Sequence, residues 1–177
     1  INKGMWKLDE IRKRLAADEQ RFTQKDAVRD YLRGKQRDFQ YAVTLTFTPH
    51  FKVTTDKGVH YRQVGKDDVE ATASKFKRRL NTIALGSSAK RYGNSLNYFF
   101  VVEGERSNKH LHLHLLVGGE LRKIKRNEFK QAVENAAALC EHLGKEIDVQ
   151  VADSGWLEYI TKEVGKHDTD NVLWELA

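Results

Sequence analysis

The sequence predicts an α+β domain, a central antiparallel sheet with helices packed on it and a helical extension at the N-terminus. Three observations carry this. The run at residues 41–47 is rich in β-branched and aromatic residues and has no helical period. Residues 66–85 and 128–143 repeat apolar side chains at helical spacing. Beyond the first forty residues, strand and helix patterns alternate with no linker or repeat between them.

Taken in order, residues 6–18 form a charged amphipathic stretch, and Thr23 followed by Asp26 has the composition of an N-cap ahead of a helix at 27–34. The buried strand at 41–47 follows. Residues 51–55 and 59–63 flank Asp56-Lys57-Gly58, the composition of a three-residue hairpin loop. In the helix at 66–85, Val69, Ala73, Phe76, Leu80 and Ile83 mark the packed side. Strands at 96–103 and 110–117 pair antiparallel about a turn centred on Ser107-Asn108. A helix at 128–143 then carries Phe129, Val133, Ala136, Cys140 and Leu143 on one side, with Gly144 past its end. An alternating strand at 147–152 leads to a last helix at 156–164, capped by Asp153 and stopped by Gly165.

Without the hairpin insert, that order is the split βαβ pattern of a ferredoxin-like or RRM-like sheet, whose helices cover one face and leave the other open. The organisation expected is an extension at 1–38, the main domain at 39–166, and a tail or the start of a following segment at 167–177. The 177 residues, 40% hydrophobic, suit one domain with a real core. Cys140 is the single cysteine, which excludes a disulfide framework. With neither a signal-peptide pattern nor an apolar run of membrane-spanning length, no membrane partner and a reducing cytoplasm are expected. The net charge of +6 and pI near 9.3 suit a phosphate-rich partner.

Strand alternation in His110-Leu111-His112-Leu113-His114-Leu115-Leu116-Val117 sends the three imidazoles to one face and most leucines to the other. Imidazoles one residue apart on a strand lie about 7 Å apart at the Cα, close enough to share one divalent ion. A tight turn between Ser107 and Asn108 places Glu105 opposite His110 and Glu103 opposite His112. Two histidines and Glu103 would leave coordination positions open for a phosphate oxygen, as a catalytic metal requires. His110 stands as an additional candidate ligand or a residue lining the site.

Tyr159 and Lys162 are one helical turn apart, while Trp156, Ile160 and Val164 mark the adjoining face as the one that docks. A phenol with a reference pKa near 10 needs a cation, a base or a metal-polarised phosphorus before it attacks a phosphodiester. Lys162 and the metal would supply that help.

These residues resemble the HUH endonucleases, in particular the single-tyrosine rolling-circle replication initiators of plasmids and small DNA viruses. Val43-Thr44-Leu45-Thr46-Phe47 resembles the first motif of that family, and His112-Leu113-His114 followed by Leu115-Leu116-Val117 resembles the second. Tyr159-Ile160-Thr161-Lys162 is similar to the third, Tyr-x-x-Lys, so the resemblance spans roughly residues 41–164. His110-Leu111-His112 also satisfies the two-histidine pattern; the Leu-Leu-Val that follows and the position of Glu103 favour His112 and His114. The resemblance implies a sheet of about five antiparallel strands, with His-x-His on a central strand and the tyrosine on a facing helix. It implies Mn²⁺ or Mg²⁺, with Glu103 as an acidic ligand on the preceding strand. It further implies attack of the tyrosine on single-stranded DNA or an origin hairpin, a covalent 5′-phosphotyrosine, a free 3′ hydroxyl, and resealing by the reverse attack.

Tyr159 and Lys162 are therefore the expected catalytic pair. Thr44 and Thr46, with the helix residues Lys75, Arg78 and Arg79, are the expected DNA contacts. A helicase domain or host replication proteins are the expected partners, and the nucleus becomes the setting for a virus of eukaryotes. One tyrosine in the third motif argues against the two-tyrosine branch, and its late position against relaxases; a single-tyrosine transposase has the same chemistry. The alternative from another class is a noncatalytic RRM-like module that stacks single-stranded bases on Tyr98 or Phe100.

Overall fold

The computed structural model describes residues 23–104, 110–121, 124–162, 164 and 171–177. The stretch at 6–18, Glu105, the Ser107-Asn108 turn, Gly165 and His167 lie outside the described residues. Helix α1 (Gln24–Gly34) opens on a capping box, in which the Asp26 N–H donates to Thr23 Oγ1 and the Thr23 N–H to the Asp26 carboxylate at 3.0 Å. Strand β1 (Phe39–Phe47) is followed by the hairpin β2 (His50–Thr55) and β3 (Gly58–Gln63), and then by α2 (Lys66–Leu85) and α3 (Ser87–Tyr92). Strands β4 (Asn97–Glu103) and β5 (His112–Gly118) precede α4 (Arg126–Ala137), β6 (Leu143–Val151) and α5 (Ser154–Ile160).

The main sheet has the order β4-β5-β1-β6 with every neighbouring pair antiparallel. β5 lies between β4 and β1, and β1 between β5 and β6, so two split βαβ units interleave as expected. Among the described residues the sheet has four strands rather than about five. Outside β4, Val172 makes only a single bridge to Val101. The β2–β3 hairpin forms its own two-stranded sheet and closes on a Thr55–Gly58 pair, leaving a two-residue turn where three were expected.

The two faces of the sheet have different covers because alternation sorts their side chains. Val43, Leu45, Phe100, Leu113 and Leu115 face α2 and α4 and pack with Phe76, Leu80, Phe129 and Val133. Tyr41 stacks on Phe129 there at 4.3 Å between ring centroids. Tyr98 and Phe100 are buried on this same side and stack on each other, which corrects the expectation of an open aromatic platform. The opposite face is not open either. Its apolar half, Ala42, Phe99, Val101 and Leu116, is covered by Val28 and Leu32 of α1, Leu157 and Ile160 of α5, and Val172. Each helix presents its pair at three- or four-residue spacing, which is how a short helix buries one stripe. The α1 segment, read as the end of an extension, is thereby built into a second core.

Other boundaries also shift. α4 ends at Ala137, not at 143, because Leu143 opens β6 to pair with Phe47 while Cys140 stays buried in the intervening turn. Gly144 falls inside β6, where a Cβ would lie 3.1 Å from the Thr46 carbonyl oxygen, so glycine there serves close strand approach instead of a helix stop. The last helix covers 154–160 rather than 156–164. Among the described residues no helix is long and apolar enough to cross a membrane.

Candidate active site

The polar half of the second face carries the residues singled out by chemistry. Antiparallel pairing sets Glu103 opposite His112 and His112 opposite Thr46. Two residues further along, His114 lies opposite Thr44, and Thr44 opposite Asp148. The Glu103–His112 register is the one expected from a turn centred between residues 107 and 108. Gly104, just past β4, has φ +96°, and a Cβ there would lie 2.6 Å from the His110 carbonyl oxygen, so the close return to β5 requires glycine.

His114, only 2% exposed, has both ring nitrogens engaged. Nε2 lies 2.8 Å from Glu103 Oε2, and Nδ1 lies 3.0 Å from Thr44 Oγ1. A carboxylate only accepts, so the neutral ring donates its Nε2–H to Glu103 and accepts the Thr44 hydroxyl proton at Nδ1. Burial pushes this imidazole below its ordinary range against the pull of Glu103. Burial alone would raise the Glu103 carboxyl; hydrogen bonds from Lys162 and His114 outweigh it and hold the group below the usual carboxylate range. Lys162 Nζ sits 3.0 Å from Glu103 Oε2. Burial opposes its charge, but Glu103 and the Tyr159 hydroxyl together raise it above the ordinary lysine value. The half-buried His112 ring lies 6.0 Å from that of His114 and nearly parallel to it.

Tyr159 reaches this cluster because of how α5 is seated. Asp153 Oδ1 caps the helix by accepting the Trp156 N–H at 3.0 Å. Leu157 and Ile160 bury toward the sheet, which turns Trp156 and Tyr159 toward His114. The Tyr159 ring stands edge-on to His114 at 5.2 Å and to Trp156 at 5.0 Å. Its side chain remains 43% exposed. The helix stops before Lys162, whose N–H donates to the Tyr159 carbonyl at 3.1 Å. That tight turn, instead of a further helical turn, folds Nζ back to 3.9 Å from the centre of the phenol ring.

α1 ties this segment down. Arg29 pairs with Glu158 and donates its Nε–H to Thr161 Oγ1 at 2.9 Å. Arg33 reaches Glu158 at 3.1 Å, and Lys25 Nζ reaches the Lys162 carbonyl at 3.2 Å. These residues precede every motif and no motif pointed to them. The signal for them was Arg29 and Arg33 at four-residue spacing beside the apolar pair Val28 and Leu32.

Of the expected DNA contacts, Thr44 and Thr46 share the histidine face, Thr44 with its hydroxyl engaged by His114. Lys75, Arg78 and Arg79 belong to α2, on the far side of the sheet, and are not brought to the site; Lys75 pairs with Glu141 at 3.8 Å. His110 is exposed and precedes β5, so the alternation that aligns His112 and His114 does not extend to it. Sequence reasoning passed over Asp148 and Gln150, although they alternate with buried Val149 and so share the histidine face. With Thr44, Asp153, Gly155, Trp156 and Tyr159 they line a groove of about 500 Å³.

The donor set suits a divalent cation. A neutral imidazole at His114 and an ionised carboxylate at Glu103 are the protonation states that coordination demands. Among the described residues no three of His, Cys, Asp or Glu stand as a metal-holding cluster, and His114 Nε2 and Glu103 Oε2 are bonded to each other. His112, His114 and Glu103 are the residues that would hold the ion in place of that bond. No protein-family model, curated protein or solved structure matches this chain, so the site itself carries the functional reading.

Proposed function

We propose that this chain is the nuclease domain of a single-tyrosine HUH endonuclease, which nicks and rejoins single-stranded DNA at an origin to start rolling-circle replication. One observation carries the reading: the exposed phenol of Tyr159 stands edge-on to His114, with the Lys162 ammonium against it and Glu103 behind. Tyr159 Oη attacks the phosphorus and the P–O3′ bond breaks. The phenol proton passes to solvent, and the departing 3′ oxygen takes one up. Lys162 stays protonated, so it does not act as the base; its charge favours the phenolate and the negative charge developing on the phosphoryl oxygens. Thr44 fixes the His114 ring from its Nδ1 side. Held by His112, His114 and Glu103, a Mn²⁺ or Mg²⁺ ion would supply Lewis-acid polarisation of a phosphoryl oxygen. The 3′ hydroxyl released is a primer for a polymerase, and a helicase domain or host replication proteins would extend it.

The test is incubation of a library of labelled single-stranded oligonucleotides, some with origin-like hairpins, with the protein and Mn²⁺. A denaturation-resistant protein–DNA product that EDTA suppresses is expected. Failure to form one with any member overturns the reading.

On this mechanism Arg29 positions the nucleophile through Glu158 and Thr161. Arg29→Ala is expected to slow adduct formation roughly tenfold, about 1.4 kcal/mol in the barrier. The partly exposed ion pair itself contributes at most about 1 kcal/mol to stability. A thermal melt lowered by roughly 2–4 °C, together with unchanged oligonucleotide affinity, checks that the loss is one of positioning.

A further inference from the structure

The groove beside Tyr159 is polar in an uneven way. Lys162 and the histidines flank the phenol on one side, while Asp148 and Asp153 flank it on the other. Asp148 lies two strands from His114, roughly 9–10 Å across the sheet. A phosphate is repelled by those two carboxylates and drawn toward the Lys162 ammonium. A strand whose phosphate meets Tyr159 therefore turns a base, not its backbone, toward Asp148.

The side chains there are already ordered for a base. Gln150 Nε2–H donates to Asp148 Oδ2 at 2.7 Å, and the Trp156 indole N–H donates to Gln150 Oε1 at 3.3 Å. Flipping the Gln150 amide would set oxygen against carboxylate and N–H against N–H, so both bonds hold in one orientation only. Asp148 and Gln150 are exposed, and Asp148 keeps acceptor lone pairs beside the second Gln150 N–H. The half-buried Trp156 indole, held by its N–H, forms a fixed wall of the groove.

Resting on the reading of the chain as a single-stranded DNA nuclease, we infer that this groove is a nucleobase pocket for a nucleotide next to the attacked phosphate. Trp156 is its stacking wall, and the Asp148–Gln150 pair reads the base edge. An acceptor beside a donor fits bases with an exocyclic amino group: the amine donates to Asp148, and a ring nitrogen or carbonyl oxygen accepts from Gln150. Thymine can offer N3–H to Asp148 and O4 to Gln150, but its second carbonyl oxygen then lies on the carboxylate's side and is repelled, whereas cytosine and adenine place no oxygen there. The pocket therefore selects cytosine, adenine or guanine over thymine.

Binding is measured in EDTA by fluorescence anisotropy, with labelled oligo(dC), oligo(dA) and oligo(dT) of equal length and the intact chain. Oligo(dC) and oligo(dA) are expected to bind at least about fivefold more tightly than oligo(dT). Trp156→Ala should weaken all three roughly ten- to hundredfold, and Trp156→Phe should restore most of that. Asp148→Asn should bring oligo(dT) level with the others. Equal affinity for the three oligomers, no binding, or indifference to both Trp156→Ala and Asp148→Asn overturns the pocket. The covalent-adduct assay is separate: adduct formation without base preference removes the pocket and keeps the nuclease, and base preference without adduct does the reverse.

Discussion

Tyr159→Phe is expected to remove the covalent protein–DNA product completely, a loss of about 10⁴-fold or more, because phenylalanine has no atom that can bond to phosphorus. The substitution is otherwise mild. The ring stays against His114 and Trp156, and the position is 43% exposed. The Lys162 ammonium keeps its place 3.9 Å from the ring centre, and only its interaction with the hydroxyl is lost, at about 1 kcal/mol or less for a pair near solvent. Denaturing gels of labelled DNA read the adduct, and thermal melts and anisotropy read fold and binding. Loss of adduct with both of the others retained assigns the chemistry to the hydroxyl. Persistent adduct would move the nucleophile elsewhere and end the assignment.

Much of this site is legible in the sequence because its positions are fixed by local arithmetic. A tight turn centred between residues 107 and 108 pairs residues whose numbers share one sum, so Glu103 and His112 had to meet if the turn was tight. Period-two alternation then put His114 on the same face, and period 3.6 placed α2 at its observed bounds, Lys66–Leu85. What stayed hidden depends on tertiary docking. Cys140 and Leu143 continue the helical period of α4, yet pairing of Leu143 with Phe47 draws the chain into β6. Nothing local says that α1 docks on the second face, so the Arg29 and Arg33 contacts to Glu158 had no counterpart in the motifs. Tyr98 and Phe100 show the reverse limit: aromatic residues in an edge strand suit a stacking platform or a core equally, and here α2 buries them.

The second large effect is expected at Glu103, where one carboxylate serves two partners. Glu103→Ala leaves the His114 Nε2–H and the Lys162 ammonium without that acceptor, one of them on a ring 2% exposed. Stranding a buried donor costs about 1–3 kcal/mol, and the lysine adds less because its side chain is 33% exposed. A fall in melting temperature of roughly 4–10 °C follows. On the proposed mechanism adduct formation should drop about 10²–10³-fold, since Lys162 loses its anchor and the divalent ion one of the residues that would hold it. Glu103→Gln separates the two roles. Its amide oxygen still accepts from His114, so most of the stability returns, but without the negative charge Lys162 is no longer held between Tyr159 and a carboxylate, and activity stays low. A glutamine variant as active as the parent would show that charge at this position is dispensable and that Glu103 only braces the imidazole. An alanine variant that melts with the parent would mean that the carboxylate, the imidazole and the ammonium are not coupled in solution, and the positioning of Tyr159 would need another source.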